Sequence, residues 1–197
     1  DVPPPSRVGC GALRRVGSPR AMGEYGDYGT WPGAGGAINS KGNNMARAVF
    51  GSLDELAGRA GEEIVISDWL EITQKRIDQF ADATGDHQWI HVDVERARRE
   101  SPFGAPIAHG FLTMSLLSHF LNESLEFGNS KMGVNYGFNR LRFTAPVKAG
   151  SRLRARFKLK ELQRIEAGVQ MVWDIVMECD GESKPVLVAE WVGRRYA

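Results

Sequence analysis

Two short stretches hold the side chains able to move protons. In Asp82-Ala83-Thr84-Gly85-Asp86-His87-Gln88-Trp89-Ile90-His91, the carboxylate of Asp86 and the imidazole of His91 stand five residues apart, just after Gly85, where a helical pattern stops. The spacing predicts a loop there. Such a pair can serve as general acid and base, with the carboxylate fixing the imidazole tautomer and both groups holding one water. The same residues also suit a helix-ending Asp beside an unrelated surface His, and spacing alone does not choose.

The second stretch, Ile107-Ala108-His109-Gly110-Phe111-Leu112, opens a very apolar segment. A helix starting inside a core presents N–H groups without partners and a positive dipole end. Gly110 would let a ligand carbonyl approach the backbone, and its N–H could bind an oxygen on which negative charge develops. Alternatively, Gly110 only lets the helix pass close to a sheet, with His109 as a core or cap residue. Ser118 would fall about 80° around that helix from Gly110 and about 12 Å further along it. It could orient a catalytic side chain but not touch the same ligand atom, and a bond back to its own helix is the stronger explanation. A carboxylate, an imidazole and a Gly-started buried helix are the parts needed to add or remove water next to a carbonyl. An enzyme is therefore the leading expectation.

The elements that must position these groups are legible from periodicity. Phe50, Leu53 and Leu56 are spaced like one helix face, ended by Gly58 and Gly61. Glu63 to Ser67, then Trp69 and Ile72, read as extended chain. Thr73 is a good N-cap, followed by Ile77, Phe80 and Ala81 at helical spacing. Asp93 is expected to cap a charged helix over Val94 to Glu100, and 101–106 is loop by composition. The segment from Gly110 to Leu121 is apolar on nearly every side, which predicts a helix buried all round. Strands are expected at Met132 to Phe143, Arg152 to Lys160, Val169 to Met177 and Val186 to Trp191. Arg152, Arg154, Arg156, Lys158 and Lys160 form a basic strand face, expected to be solvated, although a nucleotide phosphate could use part of it. One buried helix followed by four strands predicts an α+β domain in which an antiparallel sheet wraps the helix.

Bulk properties narrow the function classes. The 197 residues are 42% hydrophobic and 25% charged, with Lys plus Arg at 25 against 24 for Asp plus Glu. So even a balance gives no electrostatic case for nucleic acid or a membrane surface. There is no apolar run long enough to span a bilayer. Cys10 and Cys179 lack metal-like spacing and suit a reduced cytoplasmic environment. Residues 1–45 differ: ten of the first fifty residues are Gly, and five of the nine prolines fall there. They are expected to be a disordered N-terminal extension or a cloning remnant. Met45, just before the first structured pattern, favours a start upstream of the true one. No apolar core of a secretory signal is present. Arg14, Arg15 and Arg20 would suit a transit peptide, but the Gly content argues against one.

Thr84-Gly85-Asp86-His87-Gln88-Trp89-Ile90-His91 resembles the active-site loop of the (R)-specific enoyl-CoA hydratases, the MaoC-like dehydratase family. Ile107-Ala108-His109-Gly110-Phe111 resembles the start of that family's central helix, and "GDHQWIHVD" is similar to its single-domain, NodN-like branch. The resemblance covers roughly residues 46–196 and implies a hot-dog fold over 46–197, usually as a homodimer. It implies that Asp86 and His91 hold and activate a water, that the Gly110 N–H binds a thioester oxygen, and that Ser118 supports the site. The substrate implied is an acyl-CoA thioester, with no metal and no cofactor beyond the coenzyme A of the substrate. Relatives often carry Asn-Pro where this chain has Gln88-Trp89. Gln88 replaces the Asn amide with a longer reach, and Trp89 replaces a rigid proline. Two other readings stay open: a hot-dog acyl-CoA thioesterase, and a non-catalytic acyl-CoA-binding module or partner subunit of a dehydratase.

Overall fold

The computed structural model describes residues 47–128 and 130–196. The expectations for residues 1–45 lie outside them. The order is β1 (Ala48–Phe50), α1 (Leu53–Ala57), β2 (Glu63–Ile66), β3 (Leu70–Glu71), α2 (Gln74–Thr84), α3 (Trp89–Val92), α4 (Val94–Glu100), α5 (Gly110–Ser124), β4 (Leu125–Phe127), β5 (Met132–Phe143), β6 (Arg152–Ile165), β7 (Gly168–Cys179) and β8 (Leu187–Tyr196).

The main sheet runs β2-β6-β7-β8-β5, with β3 also paired to β6, and every pairing in it is antiparallel. Alternation builds its inner face. Leu153, Ala155, Phe157 and Leu159 of β6 are buried, as are Met171, Trp173, Ile175 and Met177 of β7. Against this face lies α5, with Leu112, Leu116, Leu117, Phe120 and Leu121 in the same core. Burying each such side chain is worth about 1.5–3 kcal/mol, which is why α5 holds its place with little help from capping. Register shifts in β5 and at Leu159/Glu161 of β6 bend the long strands, so the sheet curls around the helix. This is the hot-dog arrangement.

Two expectations are corrected. Phe50 does not share a helix face with Leu53 and Leu56. It ends β1, which pairs in parallel with β4 as a separate two-stranded ribbon. Its burial is the same in either geometry, so the apolar spacing did not distinguish them. The last strand begins at Leu187 and runs on to Tyr196, because its partners β5 and β7 extend that far. Among the described residues, no helix is long and apolar enough to cross a membrane.

Candidate active site

The corner where α2, α3 and α5 meet brings the two proton-handling stretches together. Thr73 caps α2, its side chain accepting from the Arg76 N–H, a contact typically worth about 1 kcal/mol. The helix ends at Gly85, whose φ of 75° is left-handed, a conformation that glycine adopts without steric cost. The chain then turns sharply. The Gln88 N–H donates to Asp86 Oδ1 at 3.4 Å, the short-range bond by which an Asp side chain stabilises a turn. A single helical turn, α3, follows, so His91 stands on a helix and not on the loop expected for it. Trp89 occupies the first helical position, where a proline would also fit. It is half-buried beneath the Arg96 guanidinium, 4.4 Å from its ring centroid.

His91 is buried and fixed from two sides. Gln74 of α2 donates from Nε2 to the His91 carbonyl at 2.8 Å and also to Asp78 Oδ1. On the ring, Nδ1 lies 2.6 Å from the Ile107 carbonyl. A carbonyl only accepts, so Nδ1 carries the proton and Nε2 is left with its lone pair. The tautomer is thus set by a backbone carbonyl, and not by Asp86 as expected from the sequence. The same strand of chain returns the contact, the Ile107 N–H donating to the Ile90 carbonyl at 3.0 Å, while Ala108 donates to Val147 at 2.7 Å. These bonds deliver His109 and Gly110 to the site.

His109 caps α5 by backbone only. Its ring stacks on that of His91, centroids 3.8 Å apart at 28°. Its Nε2 donates to the Asp86 carbonyl at 2.8 Å and lies 4.0 Å from the carboxylate Oδ2. Gly110 follows at the helix start, where the first N–H groups have no acceptor within the helix. Phe143 of β5 covers this glycine: a Cβ on Gly110 would come within 3.0 Å of the ring. Phe111 stands edge-on to Phe143 and is 65% exposed.

Asp86 carries the exposed end of the cluster and His91 the buried one. Burial pushes His91 below the ordinary imidazole value, and His109 adds to this, while the Ile107 carbonyl and Asp86 act the other way. His87, between the two in sequence, is an exposed residue whose hydrogen bond to Asp82, helped by the Gly85 carbonyl, raises it. Asp86, His91 and His109 offer ligand-type atoms within 4.8 Å of one another. Two imidazoles stacked face to face, however, aim their in-plane lone pairs along neighbouring planes and not at a common point.

The expected supporting residues fare differently. His109 is in the cluster. The Gln88 side chain is exposed and makes no hydrogen bond among the described residues; only its backbone N–H serves the Asp86 turn. Ser118 is half-buried on α5 and bonds to neither Asp86 nor His91. The Ile107 carbonyl, Gln74 and Phe143 escaped the sequence reading. The first is backbone, and the other two reach the site only through tertiary packing.

Comparison with known proteins agrees with this fold. The MaoC like domain profile matches residues 55–177, more than half of the chain, and the chain belongs to that family, which is of the hydratase/dehydratase type. It is 46% identical over 150 residues to 3-hydroxyacyl-thioester dehydratase Z of Mycobacterium tuberculosis, covering 76% of this chain and 99% of that protein. It is also 46% identical to Nodulation protein N of Rhizobium meliloti over 143 residues, 72% of this chain and 89% of that protein. The solved structure of the unliganded R-hydratase PhaJ1 from Pseudomonas aeruginosa aligns with a TM-score of 0.54 at 25% identity, covering 68% of this chain and 79% of that one.

Proposed function

We propose that residues 46–197 catalyse the reversible hydration of a trans-2-enoyl-CoA to the (R)-3-hydroxyacyl-CoA. The observation that carries this reading is the convergence of the Asp86 carboxylate with the His91 ring, its Nε2 lone pair free, beside the amino end of α5. A dehydratase of 3-hydroxyacyl thioesters among the relatives, and an R-hydratase among the structural neighbours, support the reaction class.

In the hydration direction the thioester oxygen would accept from the Gly110 N–H. Charge that builds on that oxygen as C3 is attacked meets the positive end of α5. Asp86 and His91 hold one water. Its oxygen bonds to C3, its proton passes to the dyad, and a proton returns from the dyad to C2, so that H and OH add across the double bond. Dehydration is the same path reversed. No metal is needed in this scheme, and coenzyme A enters only as part of the substrate. We further assign the enzyme to the cytoplasm, where a buried thiol such as Cys179 stays reduced.

The test is hydration of crotonyl-CoA, followed by loss of the enoyl absorbance, with chiral analysis of the product. Asp86→Asn should lose roughly 10²- to 10⁴-fold in kcat; a full-rate variant would remove the dyad assignment. Release of free coenzyme A thiol in place of hydration would mark a thioesterase. An unchanged rate after treatment with a chelator is expected.

We also propose a homodimer. β5 is an edge strand twelve residues long, with Met132, Val134, Tyr136 and Phe143 exposed along it. A long apolar edge left open is a site for pairing with another chain. Light scattering at micromolar concentration should give twice the chain mass.

A further inference from the structure

A second buried imidazole is more than an Asp–His pair requires. His109 is only 2% exposed. Its ring lies against His91 and packs at 5.1 Å from Phe80. Its Nε2 faces the Asp86 carbonyl, so that nitrogen must carry a proton. Its Nδ1 has no hydrogen-bond partner among the described residues. One side chain therefore touches both members of the proposed dyad, one through its ring face and the other through an N–H.

On the hydratase reading above, we infer that His109 is a positioning residue: it covers one face of the His91 ring and pins the Asp86 peptide, so that base and carboxylate are held as one unit. A base in a proton transfer must present its lone pair along a fixed line. The Ile107 carbonyl holds the His91 ring at a single atom, and a ring held at one atom can still rock about that contact. The stacked face of His109 removes this freedom. Asp86 lies on an exposed turn after the left-handed Gly85. Its carbonyl bond to His109 ties that turn to the cap residue of α5, so the carboxylate and the Gly110 N–H keep a common frame. The polar groups around His91 are His109, Asp86, the Ile107 carbonyl and, from α2, Gln74 with Asp78 behind it.

Two variants separate the two contacts. His109→Gln retains a side-chain N–H donor and lacks the ring; His109→Phe retains a ring and lacks the donor. Each should lower kcat/KM for crotonyl-CoA by about 10- to 100-fold, by analogy with the loss of an outer partner that orients a metal-bound imidazole. The pH profiles should differ. Opening one face of His91 in the Gln variant relieves its burial, so the acid limb of kcat/KM moves to higher pH. The Phe variant keeps that face covered and loses only the smaller contribution of His109's charge, so its limb moves less than that of the Gln variant. Titration of the His91 ring by NMR in the wild type and the Gln variant gives the same comparison without turnover.

The wild-type imidazole nitrogen spectrum should show a proton on Nε2 of His109 and on Nδ1 of His91. A His109 protonated at Nδ1 alone, or a Gln variant in which His91 titrates as in the wild type, would overturn the inference. Should a variant not fold, the wild-type spectrum alone decides. If the spectrum and titration are as expected but no enoyl-CoA is hydrated, the hydratase reading fails and the positioning role of His109 stands.

Discussion

The outer face of β6 and the corner at the start of α5 both gather ionisable side chains, and they treat them in opposite ways. On β6 four cations meet acids on neighbouring segments. Arg152 pairs with Asp180, Arg154 with Glu178 at 2.6 Å, Arg156 with Glu63 at 2.8 Å, and Lys160 with Glu190 at 2.9 Å. Glu178 also reaches Arg156 and Glu190 also reaches Arg140, so these charges are satisfied as a small network, and little is left for a nucleotide phosphate. At the corner, the imidazoles spend one nitrogen each on a carbonyl and keep the other, while the carboxylate stays open to solvent. Side chains with spare hydrogen-bonding capacity in a partly dry corner are suited to chemistry; side chains with matched partners on a wet face are suited to solubility and register.

The sharpest test of that contrast is His91→Ala, which should cost about 10²- to 10⁴-fold in kcat with enoyl-CoA. Arg156→Gln on β6 should leave the rate alone. A basic-face variant as damaging as the His91 variant would break the comparison. Next in size is Gly110→Ala. Its methyl group would press on the Phe143 ring, an overpacking that costs about 1–3 kcal/mol where nothing can move. Phe143 is partly exposed and can yield, so the lower end is expected in thermal melts, with Phe143→Leu in the same chain restoring most of the loss.

A pH effect should follow from His91. Its folded pKa is depressed, chiefly by burial, so the unfolded chain takes up a proton that the folded chain resists. Its contribution to stability is complete above the ordinary imidazole value and is lost as pH falls from there toward the lowered folded value. Melting temperature should therefore drop on acidification in this window, and drop less in His91→Asn. The smallest effect belongs to the strand face. Arg154→Gln, at a half-exposed pair with Glu178, should change stability by about 0–1 kcal/mol in urea unfolding, the range of surface ion pairs.

How far the sequence could be read depended on what kind of contact was involved. Thr73, Gly85 and Asp93 marked helix ends correctly because capping is a contact between near neighbours in the chain. The strands β6 and β7 were legible because alternation records which face is buried. Phe50 was misplaced because an apolar residue next to a short helix has the same pattern whether it continues the helix or ends a strand. At the corner, residue types and order exposed Asp86, His91, His109 and Gly110. The carbonyl that fixes the His91 tautomer was invisible, since every residue has one.

By itself, the sequence determined an antiparallel sheet wrapped on one buried helix and the candidate proton carriers, because burial patterns and local turn chemistry are written in side-chain type and spacing. The tertiary structure alone decided which groups hold one another: Ile107 at the His91 ring, His109 between His91 and Asp86, Phe143 over Gly110, and an acid opposite each of the four strand cations named above. Those pairings join residues distant in the chain through distances of a few ångströms, and only packing of the sheet around α5 brings such distances into being.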